Sequence, residues 1–237
     1  MNETNSESSP PIQSPSWLEK ISDETAYVLP MLVFLGFTQI GASWKNQYPL
    51  SYITKAVVVA ILLILLRKHY TKIKWNHWYL GIFVGVLGIF QWVGMQLWLQ
   101  NHFKFFKPSL DVFNPEKVFP DKIKFWSFVA VRMFGAVCVV PFMEELFWRD
   151  YLWRRMSAPN DFKLAEVGDR DVVSLFTVSA VFAVVHGNWW LTAIGWGLMV
   201  GLLLWKTKSL GACIIAHATT NLLLALYVLY THDWSFW

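Results

Sequence analysis

The sequence predicts an all-α fold: a polytopic bundle of about seven to eight transmembrane helices, with a polar cavity opening toward the cytoplasmic side. Hydrophobic residues make up 55% of the 237 and charged residues 15%, too little charge for the surface of a soluble domain. The apolar residues also gather into stretches close to the ~17–25 residues that a helix needs to cross hydrocarbon. The cavity is read from Glu144, Glu145, Arg149, His186, His217 and Asn221, which fall within or at the ends of those stretches. A charge inside a bilayer costs roughly 2.5–3.5 kcal/mol even on mild insertion scales, so such residues mark a functional site by default.

The first 24 residues are polar, rich in Ser and Pro, and lack the apolar core of a signal peptide. They read as a disordered tail, and residues 25–237 as a single integral membrane domain. Spans are expected at Ala26–Ser43, Tyr52–Leu66, Tyr79–Leu99, Trp126–Met143, Val173–His186, Trp190–Trp205 and Leu210–Tyr230. The fourth should continue as a helix through its charged motif to about Met156. Between the third and fourth, Asn101–Lys124 mixes charges with Phe103, Phe105, Phe106, Phe113 and Phe119, a composition suited to lying along an interface.

Basic residues in short loops set orientation. Arg67, Lys68, Lys72 and Lys74 follow the second span, Arg149, Arg154 and Arg155 the fourth, and Lys206 and Lys208 the sixth, which puts the amino terminus in the cytoplasm. Lys55 and Arg132 lie near the far ends of their spans, where long side chains snorkel to water. The net charge of +4 is then a matter of anchoring against anionic lipid, with no nucleic-acid partner. Trp75, Trp78, Trp189, Trp190 and Trp205 read as interfacial belts, and Cys138 and Cys213 as small core residues. Gly81-x-x-x-Gly85 and Gly197-x-x-x-Gly201 are patterns that let helices approach closely.

On a helix, Glu145 and Arg149 share a face and can pair, which lets a carboxylate stay charged near hydrocarbon. Glu144 is rotated by about 100° from them and is available for other chemistry, such as that of a general base. Pro141 removes a helical hydrogen bond beside the motif. A blander reading makes Glu144, Glu145 and Arg149 the solvated end of a helix, together with Asp150, Arg154 and Arg155. Phe182 and His186, and His217 and Asn221, are each four apart and share faces. A lone buried histidine is more often packed than catalytic, but three spans supplying polar groups at similar depth favour a common site. For that, the short fifth span must end mid-membrane, with Gly187 and Asn188 turning in a cavity.

These motifs, Glu144-Glu145-x-x-x-Arg149, Phe182-x-x-x-His186 and His217-x-x-x-Asn221, resemble in order those of the CAAX prenyl endopeptidase and bacteriocin-processing (CPBP) family of intramembrane glutamate proteases, over roughly residues 126–230. The phrases EELFWRDYLWR and AHATTNLLLALYVL further resemble a bacterial subgroup found beside exosortase sorting systems. The resemblance implies an endopeptidase of the bacterial plasma membrane without a cofactor, acting on a membrane-anchored or lipidated protein, with exosortase-system components as partners. It implies that Glu144 and His186 activate water, that His217 and Asn221 hold the oxyanion, and that Glu145, Arg149 and Phe182 support them. Three readings stay open beside it: a zinc-dependent membrane protease, a non-catalytic scaffold or immunity-type protein, and a transporter with a Glu/His proton relay.

Overall fold

The computed structural model describes residues 20–108 and 112–237. The tail read in the first 24 residues falls largely on 1–19, outside the described residues. Among the described residues there are seven apolar helices: α1 (Asp23–Ser43), α2 (Tyr48–Leu65), α3 (Trp78–His102), α4 (Lys122–Ser157), α5 (Val172–Val184), α6 (Trp190–Thr207) and α7 (Leu210–Thr231). Six are long and apolar enough to cross a membrane and α5 is shorter, so the chain is an integral membrane protein built as a polytopic helical bundle. At 13 residues, α5 rises only about 20 Å and stops short of a full crossing. Its last turn gives way to Gly187, whose φ of 53° no β-carbon-bearing residue adopts easily.

Local chemistry sets the helix starts. Ser22, Asp121, Asp171 and Ser209 each accept a hydrogen bond from a backbone N–H in the first turn of α1, α4, α5 and α7, satisfying donors that a helix leaves free at its start. The short second span predicted from Tyr52 begins four residues earlier, at Tyr48, because Pro49 fits the first turn of a helix without needing an N–H.

Small residues bring the bundle together. A β-carbon at Gly81 would lie 2.5 Å from the Ala212 carbonyl oxygen and one at Gly85 2.6 Å from that of Ala216, so α3 rests backbone to backbone on α7. Gly197 seats α6 against the Ser179 backbone of α5, and Gly201 makes room for the Leu175 side chain.

The basic end of α4 is clamped, not solvated. Asp150 receives Tyr27 Oη at 2.6 Å from α1 and Arg154 Nη1 at 2.6 Å, and Arg154 also reaches Thr71 Oγ1 and the carbonyls of Lys163 and Ala165. Asp150 is wholly buried and Arg154 nearly so. The reading of this motif as a solvated helix end is thereby corrected at Asp150 and Arg154: both are buried and each has a partner, which is what makes their burial tolerable. Two smaller expectations also change. Cys138 is exposed on α4 while Cys213 is buried, and neither Lys55 nor Arg132 snorkels, since both are buried against aromatic rings.

Gly85→Val is expected to cost roughly 1–3 kcal/mol or more through overpacking, whereas Gly94→Ala, with open space around its β-carbon, should be neutral. Thermal unfolding of both variants in detergent measures the difference.

Candidate active site

The site begins with an irregularity in α4. Residues Gly135–Val139 and Leu146–Leu152 are wound as π-helix, with ordinary α-helix over Val140–Glu145 between them. In the first π segment the Val140 N–H bonds the Gly135 carbonyl, five residues back. The next donor in that register is residue 141, a proline with no N–H, so the Ala136 carbonyl lacks a partner within its own helix. Asn221 Nδ2 of α7 donates to it at 2.8 Å. Pro141 thus explains both why α4 widens here and why an amide on α7 is held against it.

One turn further along, Glu145 is fully buried between Arg149 and His217. Its Oε2 lies 3.2 Å from Arg149 Nε and its Oε1 2.8 Å from His217 Nδ1. The ion pair expected from the four-residue spacing is present, and it extends to a third group on another helix. The Arg149 guanidinium lies over the rings of Phe182 and Trp196, 4.9 and 5.3 Å from their centroids, which supplies further compensation for the buried cation.

Glu144 points away from that pair, with Oε2 buried and without a hydrogen-bond partner among the described residues. It lines a cavity of about 120 Å³ together with Phe182, His186, His217, Thr220 and Asn221. His186 Nδ1 donates to the Phe182 carbonyl at 2.7 Å, which fixes the tautomer and leaves Nε2 as an acceptor. His217 has Nδ1 against Glu145, leaving its Nε2 free. The cavity therefore gathers a carboxylate, two imidazoles and an amide from α4, α7 and the turn after α5. The short α5 ends two residues before His186 and so places it there, as the sequence required of a common site.

Of the residues singled out from sequence, Glu144, Phe182, His186, His217 and Asn221 line the cavity, while Glu145 and Arg149 stand behind it. Trp196 and Thr220 were missed. Trp196 stacks on Phe182 at 5.4 Å, meets the His217 ring at 4.6 Å and directs Nε1 at Thr220 Oγ1. A signal existed: Trp196 sits in the middle of its span, away from the interface where tryptophan usually lies. Among the described residues no group of three or more His, Cys, Asp and Glu side chains is placed to hold a metal ion.

These elements coincide with one segment that is similar to known proteins. Residues 126–223 match the family of Rce1-like type II CAAX prenyl endopeptidases. The Rce1-like match begins in α4, takes in α5 and α6 and ends within α7, so it contains all seven singled-out residues while covering less than half of the chain. No curated protein and no solved structure matches the chain. The match supports the family read from the three motifs.

Asn221→Leu is expected to cost roughly 1–3 kcal/mol by leaving the Ala136 carbonyl without its donor. Adding Pro141→Ala supplies an N–H at residue 141 and should recover part of that loss. A double-mutant cycle of unfolding free energies in micelles would show the coupling, and strict additivity would separate the two residues.

Proposed function

We propose that the protein is an intramembrane endopeptidase that hydrolyses a peptide bond of a membrane-anchored or lipidated protein, using Glu144 as general base. The observation that carries this reading is that Glu144, His186, His217 and Asn221, from three separate segments, line one small cavity inside the region that matches the Rce1-like family.

The chemistry follows from the free atoms. Glu144 takes a proton from a water molecule, which His186 Nε2 orients by accepting its second hydrogen. The oxygen attacks the peptide carbonyl carbon, and the carbonyl oxygen becomes the oxyanion. His217, its Nδ1 facing Glu145, turns its Nε2 toward that oxygen as a donor. Asn221 has a second amide N–H beyond the one given to Ala136. The proton on Glu144 then passes to the departing amine as the C–N bond breaks. Glu145 and Arg149 do not touch the substrate; they hold His217 and the wall formed by Phe182 and Trp196.

A groove of about 650 Å³ between α2 and α4, lined by Ala60, Leu63, Phe134 and Phe142 with Arg67 and Lys72 at its basic end, suits the hydrocarbon chain of a lipidated substrate. The basic loops at the α2–α3, α4–α5 and α6–α7 connections favour a cytoplasmic amino terminus in the bacterial plasma membrane. The Glu pair and His217 lie in the half of the bundle nearer those loops.

Glu144→Gln, purified in detergent, should lose about 10²–10⁴-fold in cleavage of lipidated peptides, with its melting temperature unchanged and wild-type cleavage unaffected by chelator. Undiminished cleavage by Glu144→Gln would overturn the assignment of the base. Cleavage abolished by chelator would shift the reading to a metalloprotease, and proton-coupled flux without cleavage to a transporter.

A further inference from the structure

The cavity at Glu144 is closed unequally at its two ends. Toward the basic loops lies the main hydrophobic core. Trp148, Val178, Val200 and Cys213 sit about one turn beyond the cavity residues of α4, α5, α6 and α7 in that direction, and Trp153 and Leu204 about two turns. Each is at most 2% exposed. From His217 to Leu210, the first residue of α7, this plug is about 10 Å thick, and side chains packed in this way leave few voids larger than a water molecule.

The other end is closed by a single layer of rings. Trp92, which lines the cavity at Glu144, meets His186 edge-on at 5.6 Å and stacks on Trp189 at 6.1 Å, with the two indole planes 13° apart. Trp189 in turn lines a cavity of about 830 Å³ at the end of the bundle away from the basic loops. One tryptophan pair is thus the wall between the two cavities. The short turn after α5 runs along it, with His186 on the small cavity and Asn188 and Trp189 on the large one.

The larger cavity suits an extended polypeptide. Its volume is that of a site enclosing a drug-sized ligand, enough for a few residues of peptide. Asn46, Asn114 and Asn188 line it with amides, which both donate and accept, as a peptide backbone does. Trp189, Trp234 and Trp237 offer ring faces to side chains. Lys45 and Lys117 also line it and among the described residues no carboxylate does, a charge pattern that complements an acidic segment.

We propose that the peptide substrate reaches Glu144 from this larger cavity, past Trp92 and Trp189, so that the chain it cuts lies on the extracytoplasmic side of the membrane. This is the opposite end from the opening that the sequence suggests. The proposal rests on the proteolytic reading and on the orientation drawn from the basic loops, and it narrows the substrate to membrane-anchored proteins with an acidic segment outside the cytoplasm. Trp189 has to swing aside for the chain to pass. The turn has room for that, since a β-carbon at Gly187 would meet nothing within 4 Å.

The test reads access with a quaternary-ammonium methanethiosulfonate, which does not cross membranes, on right-side-out and inverted vesicles. The background is Cys138→Ala, in which the remaining Cys213 is buried. Asn46→Cys in the larger cavity and Asn76→Cys in the loop between α2 and α3 report which face each end of the bundle occupies. Leu224→Cys and Val140→Cys, on two walls of the small cavity, serve as independent reporters of access to Glu144. Both should react from the face at which Asn46→Cys reacts, and up to about tenfold faster when Trp189→Ala is added, the change that loss of one aromatic pair allows. Reaction from the Asn76→Cys face, or from neither face even with Trp189→Ala, would overturn the route. Asn46→Cys reacting from the cytoplasmic face would overturn the extracytoplasmic assignment.

Access does not require turnover. A lipidated peptide in the outer leaflet of right-side-out vesicles should be cleaved and the same peptide on inverted vesicles spared; the reverse would overturn the route alone. Two glutamates in its soluble part should speed cleavage over two lysines, and equal rates would overturn the acidic segment as the occupant. Access from the Asn46→Cys face with no cleavage on either face would defeat the proteolytic reading alone.

Discussion

The buried carboxylate of Glu145 is the interaction on which the site depends. It is fully buried, and it meets Arg149 on its own helix and His217 on α7. A carboxylate placed there alone would neutralise or force the helices apart, because desolvating an isolated charge costs several kcal/mol. With both partners in place it fixes the distance between α4 and α7, directs His217 Nε2 into the cavity and holds the Arg149 guanidinium over Phe182 and Trp196. The pair of glutamates is thus divided in labour by one residue of helical rotation: one locks the scaffold and the other is free for chemistry.

A second constraint acts a turn away, where Pro141 deprives the Ala136 carbonyl of a donor and Asn221 supplies one. These two ties, at Glu145 and at Ala136, set α7 against α4 above and below Glu144. The close approach of α3 through Gly81 and Gly85 then supports α7 from behind. The cavity is small because three helices are pinned around it, and a small polar cavity excludes bulk water while admitting the few molecules that hydrolysis needs.

Much of this was legible in the sequence because hydrocarbon makes polar residues conspicuous. All seven helices and the pairs Glu145/Arg149, Phe182/His186 and His217/Asn221 follow from apolar length and four-residue spacing. What the spacing does not carry is pairing between helices. The bond from Glu145 to His217 joins residues 72 positions apart, and that from Asn221 to Ala136 joins residues 85 apart. The π-helical stretches were equally hidden, since Pro141 indicates that a bond is missing but not that the helix widens to a five-residue register. The burial of Asp150 and Arg154 was hidden for the same reason: their partners Tyr27 and Thr71 lie far away in sequence.

The central claim is that Glu145, Arg149 and His217 form one electrostatic unit. Unfolding free energies in detergent for Arg149→Met, Glu145→Gln and the double variant test it directly. Arg149→Met alone should destabilise by about 3–5 kcal/mol, because it leaves a buried carboxylate with a single partner. The double variant, with the charge also removed from residue 145, should be more stable than Arg149→Met alone. A double variant destabilised by the sum of the two single effects would contradict the account.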